Sequence, residues 1–578
     1  MFKNHPKGLP VLFFAEMWER FGFYLMLGIF VLYMTATDGL NKSTTEASDI
    51  YGTYIALVYL TPFLGGLLAD RVLGYIKSII IGGILMGIGY FMLAVPGETL
   101  FWPALFFVIF GNGFFKPNIS TLVGNLYSKK EYADLKDSGY NIFYMGINIG
   151  AFICNFIAAY MRNEFGWGYA FAAAGVGMFI GVGWFILGIP KIKEADVKKP
   201  AQKEDASFTQ LFVQVFIPAI VFALVGYFGP KAVLGHSLFS PSTDAFLFAS
   251  IPIVLYYFSL WVRASKEDKG PIAALLSIFA VVIVFWAIFH QNGAALTIWA
   301  RDYTGRELPA SVESVAGALN LTESVSKYEL AVTDPATGKS VAEFPLIYVK
   351  PGASDDGKIY YKLSSTDKQY SSVDTTGKTV TKELTEYFRV YDKEKLASVP
   401  DDREIKLLST ELFQSINPFF VVFLTPVVVG FWAFTRRKKK EPSTPGKIGL
   451  GLFITALSTT VMMLAVVFSG NATDKSSAMW LVGTYFVVTI GELCLSPMGL
   501  SLVSKLSPQR LTALMMGGWF LSTSIGNKLS GVLSGLWDTY DNKVYFFLVN
   551  FIGAFIAAAL IFFMLKWLKR VMAEHMKS

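Results

Sequence analysis

The chain has 578 residues, of which 53% are hydrophobic and only 16% charged, and its mean hydropathy is +0.47. Soluble domains carry about 25% charge, and many stretches here reach the roughly 20 apolar residues that cross a bilayer. Composition therefore excludes a soluble globular domain and points to a polytopic membrane protein, whose net charge of +7 is read loop by loop and not as a nucleic-acid signal.

The N-terminus holds Lys3 and Lys7, but the apolar run after it is full length and lacks a small-residue cleavage site, so no cleavable signal is expected. That first span, 9–36, contains Glu16, Glu19 and Arg20. Glu16 and Arg20 stand four apart, share a helix face and can pair, with Glu19 within reach of that face. An ionised group near the bilayer centre costs roughly 2.5–3.5 kcal/mol on insertion scales, so all three must face protein or a water-filled cavity. They are functional candidates on that ground alone.

Further spans are predicted at 50–70, 78–95, 101–124 (with Lys116 inside), 139–160 and 168–189. A charged linker follows from Lys191 to Ser207, then spans at 208–229, 244–263 and 270–300. After a polar region, 302–411, come spans at 413–434, 447–469, 479–503, 512–535 and 543–568. That makes fourteen helices. Lysine and arginine gather in alternate loops, from Arg71 and Lys77 through Lys129, Lys130 and Lys136 to Arg436–Lys440 and the C-terminal tail. Those loops are read as cytoplasmic, and an even helix count puts both termini there.

The polar region carries 14 Lys and Arg against 19 Asp and Glu, and by helix parity it is extracytoplasmic. Strand-like runs are read at 344–349, 358–363 and 385–391, with turn-forming sequences at 353–357 and 374–377 between them. A small β-rich domain is expected. Cys154 and Cys494 give neither a disulfide framework nor metal spacing, and there is no P-loop and no nucleophile elbow, so neither an enzyme nor a metal site is expected. His5, His236 and His575 are isolated in loop or tail regions and are read as inert surface residues.

Across nearly all of the chain except 302–411, a series of motifs resembles the proton-dependent oligopeptide transporter (POT) family of the major facilitator superfamily. Glu16-Met17-Trp18-Glu19-Arg20-Phe21 is similar to that family's first-helix ExxERF motif, and Tyr59-Leu60-Thr61-Pro62 with Gly65-Gly66 resembles its second helix. The run from Gly65 to Asp70 and Arg71 resembles the superfamily's loop between helices two and three. Gly113-Phe114-Phe115-Lys116-Pro117-Asn118 and Phe143-Tyr144-Met145-Gly146-Ile147-Asn148 resemble the fourth and fifth helices. Phe285-Trp286-Ala287-Ile288-Phe289-His290-Gln291 resembles the seventh, and Gln414-Ser415-Ile416-Asn417-Pro418 the eighth. Gly491-Glu492-Leu493-Cys494-Leu495-Ser496-Pro497 and Gly518-Trp519-Phe520-Leu521 resemble the tenth and eleventh.

The resemblance implies an all-α membrane protein of the major facilitator fold, with two six-helix bundles, two extra helices and a β-rich insertion. The expected divisions are 1–190 for the first bundle, 191–269 for the linker and extra helices, and 270–301 for the first helix of the second bundle. The insertion is 302–411, and the rest of the second bundle is 412–578. The implied function is proton-coupled import of di- and tripeptides by alternating access, with no cofactor besides the coupling proton. A monomer in a bacterial inner membrane is expected, with no nucleic-acid partner. Glu16, Glu19, Arg20 and His290 are expected to couple protons. Tyr24, Tyr59, Lys116, Asn148, Asn417, Glu492 and Trp519 are expected to bind substrate. Gly65, Gly66, Asp70, Arg71 and Pro497 are read as gating or structural.

The physics agrees with that assignment. A short peptide is a zwitterion, so its site needs a cation on one wall and an anion on the other; Lys116 and Arg20 would supply one and Glu492 the other. The chain departs from the family pattern in three places. His290 stands where an acid is usual, Leu27 where bacterial members often carry an arginine, and Phe23 precedes Tyr24 where a tyrosine pair is usual. Without the acid, Arg20 is expected to find its counter-charge in Glu16 or Glu19. Two alternatives stay open: a same-fold transporter of amino acids, nitrate or another organic anion, and a transporter-like sensor using 302–411.

Overall fold

The computed structural model describes residues 2–36, 38–69, 73–129, 131–132, 135–197, 212–333, 340–345, 352–353, 359–360, 371–373, 379–388, 390–391, 393–400, 404–471, 473–508 and 511–575. Among them are six long helices, α1 (Leu9–Thr35), α2 (Thr44–Leu68), α3 (Tyr75–Leu93), α4 (Phe101–Leu126), α5 (Lys136–Phe165) and α6 (Trp167–Ile192). Two more follow, α7 (Ile217–Leu234) and α8 (Pro241–Arg263), then α9 (Lys266–Phe289). Short helices α10 (Ala295–Asp302), α11 (Ala310–Ala318) and α12 (Lys393–Ser398) precede the last five long ones. Those are α13 (Ile416–Arg437), α14 (Thr444–Phe468), α15 (Ala478–Leu506), α16 (Thr512–Gly535) and α17 (Lys543–His575).

Among the described residues the long helices number fourteen, as the hydropathy pattern predicts. Their starts are chemically marked. Ser43, Ser240 and Ser265 each accept a hydrogen bond from the backbone N–H three residues on, at 3.2 Å, and so satisfy an otherwise orphaned donor. Gly235, in the left-handed region at φ 81°, ends α7. Among the described residues, eleven of the fourteen are long and apolar enough to cross a membrane by composition alone. The other three, α2, α4 and α16, carry Asp49, Lys116 and Lys528.

In the first half, α1 packs on α5 and α6, and α3 and α2 on α4; in the second, α14 packs on α15 and α17, and α9 on α16 and α17. The α7–α8 pair leans on the second half through α9 and α16. Close helix approach needs small residues. A Cβ at Gly65 would run into the Gly113 carbonyl of α4, and one at Gly52 would come 2.8 Å from Gly531 Cα, where α2 of one half meets α16 of the other.

The predicted span 270–300 is interrupted. It turns into a 3-10 segment at His290–Gly293 and resumes as α10, because the polar run diverts its groups to side-chain partners. Gln291 Nε2 donates to Asn550 Oδ1 at 2.7 Å, and the Asn292 carbonyl accepts from Gln414 and Thr297. The linker reading also shifts, since helix and 3-10 turn continue to Ala195; positions 198–207 lie outside the described residues.

The insertion stands on the face away from the chain termini, which we term the far face. Short strand β1 (Thr304–Gly305) leads to β2 (Thr322–Ser326), β3 (Tyr328–Thr333) and β4 (Ser340–Pro345). Then come β5 (Gly352–Ala353), β6 (Ile359–Tyr360), β7 (Ser371–Val373), β8 (Thr379–Leu384) and β9 (Glu404–Leu408), with β10 (Ser476–Ser477) before α15. A four-stranded sheet runs β4-β3-β8-β7, while β2 pairs antiparallel with β9 at the base. The strand expected at 385–391 does not form. Glu386–Phe388 is a 3-10 turn, because adjacent Tyr387 and Phe388 are both buried, against Ile405 and Leu407, which strand alternation forbids. Most of the runs expected at 344–349 and 358–363, and of the turns at 353–357 and 374–377, lie outside the described residues.

Glu323 of β2 sits between Arg162 of α5, at 2.7 Å, and Arg306. Burial pushes its carboxyl up, but the two guanidiniums outweigh burial and hold it down at about 2, against the ordinary 4.5. A carboxyl lowered by docking stabilises the docked state above its undocked value and loses that stabilisation as the pH falls through the docked one. The base of the insertion should therefore stay equally protected from roughly pH 8 to 5 and loosen only between about pH 4.5 and 2. Hydrogen exchange of residues 322–326 at stepped pH checks this, and loosening near pH 6 would contradict it.

Candidate functional site

The first-helix charges are buried together. Glu16, Glu19 and Arg20 are 2%, 0% and 2% exposed. The Arg20 guanidinium forks onto its neighbour Glu19, donating from Nη2 to Oε1 at 2.6 Å and from Nε to Oε2, and its Nε lies 3.4 Å from Glu16 Oε1. Asn112 of α4 donates to the same Glu19 at 3.4 Å, and Phe23 lies under the guanidinium at 4.9 Å. The expectation that Arg20 draws its counter-charge from its own motif is met. Glu19 carries most of it, leaving Glu16 Oε2 without a partner among the described residues.

Lys116, on α4, lies over the Tyr59 ring at 4.4 Å and within electrostatic reach of Glu16, Glu19 and Arg20. Among the described residues no carboxylate comes within ion-pair distance of it. Across the molecule, α13 and α15 present Asn417 and Glu492. Asn417 Nδ2 donates to Glu492 Oε2 at 3.1 Å and to Thr489 Oγ1 at 2.9 Å, which orients a carboxylate that has no cation partner among the described residues. Glu492 is near enough to Tyr24, Tyr59 and Tyr144 to couple with them electrostatically, so it faces the first half. Tyr144 is 54% exposed and lies within electrostatic reach of Glu16 and Arg20 of the first half and Glu492 of the second.

The remaining candidates divide. Asn148 donates to the Tyr144 carbonyl on its own helix at 2.9 Å. His290 stacks on Trp286 with ring centres 5.3 Å apart and faces Tyr59 at 5.7 Å; its Nε2 has no partner among the described residues. Trp519 is 3% exposed, packed by Phe279 and over Gly499. Gly66 lies against Pro117, and Pro497 sits exposed in mid-α15. Asp70 and Arg71 lie outside the described residues. One reading is corrected: His5 is no inert surface residue, since its Nδ1 bonds the Tyr127 hydroxyl at 2.6 Å.

Sequence reading passed over Tyr144, Asn112 and, above all, Lys528. The Lys528 side chain is fully buried in α16 and donates to Asp49 of α2 at 2.6 Å, to Thr53 at 2.5 Å and to Ser242 at 3.1 Å. Ser240, Ser242 and Thr243, at the N-terminus of α8, all donate to the same Asp49 carboxylate. The signal was present: a lone lysine inside an otherwise uncharged helix, the feature that singled out Lys116. Further far-face bonds join the halves at Arg301–Thr35 (2.7 Å), Asn155–Ser415 (3.0 Å) and Arg162–Glu411 (2.9 Å).

Two bundles bonded together on one face, around a polar centre whose two walls carry opposite charges without ion-pair partners among the described residues, define a multi-pass membrane transporter. The POT family model matches residues 76–313 and 402–554, leaving out most of the insertion, and the chain belongs to that family. It is 27% identical to a di-/tripeptide transporter of Lactococcus lactis subsp. lactis, over 97% of this chain and 95% of that one. It is 28% identical to the uncharacterized transporter YclF of Bacillus subtilis, over 97% and 94%. The crystal structure of a mutant peptide transporter POT in complex with alafosfalin superimposes with a TM-score of 0.72 at 26% identity, covering 99% of this chain and 96% of that one.

Breaking one partner of a buried ion pair costs roughly 3–5 kcal/mol, because the other charge is left uncompensated. Asp49→Asn should lower thermal stability in detergent by that order, and adding Lys528→Met should recover most of it. A double variant no more stable than the single one would show that the pair is not what Asp49 contributes.

Proposed function

We propose that the protein imports di- and tripeptides in symport with protons by alternating access. The observation that carries the reading is the pair of free charges, Lys116 on one wall and Glu492 on the other, which matches the carboxylate and the amine of a peptide. Asn417 holds Glu492 for the amine, and Tyr24, Tyr59, Tyr144 and Asn148 border the same space. Trp519 backs it from the packed side.

Charge balance supplies the coupling. Glu16 and Glu19 offset Arg20 and Lys116. A proton on either acid leaves one positive charge, which the peptide carboxylate then neutralises. Glu16, with one oxygen unpartnered, is the readier acceptor; Glu19 holds Arg20. His290 belongs to the aromatic wall, where a proton would face Lys116. Each charge that crosses the membrane potential gains about 2.3 kcal/mol per 100 mV, so proton entry drives uphill uptake.

The orientation follows the basic loops: both termini cytoplasmic, the far face and the 302–411 insertion outside, and the membrane a bacterial inner membrane. In that orientation the far-face bonds hold the outside-closed state. Residues 1–190 form one moving half, 270–301 with 412–578 the other, and 191–269 the extra pair; Gly65, Gly66, Asp70, Arg71 and Pro497 serve helix approach and gating. A monomer contains the whole site.

Proteoliposomes with an imposed pH gradient should accumulate labelled dialanine, and collapsing the gradient should abolish accumulation; unchanged accumulation would remove proton coupling. Amino acids and nitrate should compete poorly, and strong competition by either would replace the peptide reading. Glu492→Gln should weaken peptides with a free amine about tenfold or more, the value of a charge-assisted hydrogen bond, and N-blocked peptides far less. Equal losses for both would rule out Glu492 as the amine site.

A further inference from the structure

The insertion begins and ends in the second half, between α10 and α13. Its bonds to that half are many. Thr304 and Gly305 pair in register with Ser476 and Ser477, and Lys395 pairs with Asp474. Lys475 lies 3.8 Å over the Tyr387 ring and donates to the Asp302 carbonyl. The insertion therefore moves with the second half as a body.

Its base also reaches across to the first half, at the tip of α5. Arg162 Nη2 donates to Glu323 at 2.7 Å, and Arg162 Nε stands 2.9 Å from the fully buried Glu411 just before α13. Asn163 Nδ2 donates to the Asn320 carbonyl at 2.9 Å, the Thr322 carbonyl at 3.1 Å and Ser409 Oγ at 2.7 Å. Asn320 donates to Glu164. Arg306, 3% exposed, holds Glu323 from the other side and donates to the Leu408 carbonyl at 2.6 Å, which ties this contact to the β2–β9 pair.

Any motion that opens the far face must draw the α5 tip away from α13, and with it from the insertion base. We propose that the β2–β9 base of the insertion is a latch on the α5 tip, made when the halves are closed on the far face and broken when they open, so that it sets the balance between the two states. The inference rests on the alternating-access reading above. The latch adds to the bonds of the bundles themselves, and the first half holds its side with three consecutive residues, Arg162, Asn163 and Glu164. Among the described residues, the latch's contacts on the insertion side come from Asn320, β2 and the residues just after β9.

Spin labels at Val95 in the α3–α4 loop and Tyr545 at the start of α17, both far-face positions more than 45% exposed and away from the latch, report the separation of the halves by pulsed electron resonance. The wild type should show a short and a long distance whose ratio moves when dialanine is added at acidic pH. Asn163→Ala should raise the long-distance share roughly three- to tenfold, as expected for losing several hydrogen bonds. Glu323→Gln, which keeps the side-chain volume and guards against misfolding of the first variant, should act in the same direction. Lys395→Ala, which cuts the insertion's contact with Asp474 of the second half and not the α5 tip's, should leave the ratio unchanged. Two distances with wild-type ratios in both latch variants would overturn the latch while leaving alternating access intact, and an equal shift in Lys395→Ala would overturn its assignment to the α5 tip. A single wild-type distance that neither peptide nor pH moves would bring down the alternating-access reading and the latch with it.

Discussion

An arginine buried in a helical bundle has to be neutralised where it stands, and the centre of this protein is arranged around that requirement. A guanidinium in a low-dielectric interior costs far more than one protein contact returns, unless a carboxylate meets it in good geometry and its remaining donors are satisfied. Arg20 obtains this from Glu19, one residue before it, with Glu16 a turn back. Because the compensation is local, it does not depend on the second half. The charge cluster of the first half survives any relative movement of the two bundles.

The local pairing has a consequence for Lys116. With Glu19 engaged by Arg20, the lysine rests on the Tyr59 ring, where a cation gains from the aromatic face without being tied to an acid. The opposite wall repeats the pattern with the other sign: Glu492 is oriented by an amide and not by a cation. Each half thus holds one mobile charge balance, and a zwitterion completes both. The far face is built in the opposite way. There Asp49–Lys528 and Arg162–Glu411 pair across the halves, so their stabilisation belongs to one conformation only. The α8 N-terminus joins in by offering three hydroxyls to Asp49, which makes the extra helix pair part of that closure.

Much of the fold was legible because lipid leaves few options. Backbone groups in hydrocarbon must bond within their own segment, so a run of apolar residues of the right length is a helix almost without regard to its neighbours. The less apolar α2, α4 and α16 were still readable from length and loop charge. The insertion was less legible, since adjacent aromatics such as Tyr387 and Phe388 are compatible with a strand until one knows that both are buried. The break at His290 was invisible for a similar reason: it depends on Gln291 finding Asn550, 259 residues away.

The sequence by itself determined the helix count, the face on which the insertion stands and the isolated charges that lipid would not tolerate, because those follow from transfer energies and spacing within one segment. It also determined the pairing of Arg20 with its own motif, since the partners lie within one turn. Only the tertiary structure decided which charges remained unpaired. It matched Lys528 with Asp49, 479 residues apart, left Lys116 and Glu492 without ion-pair partners among the described residues, and left Tyr144 exposed while packing Trp519 away. Whether a buried charge is spent on the fold or left for a substrate depends on what approaches within a few ångströms, and no distance along the chain encodes that.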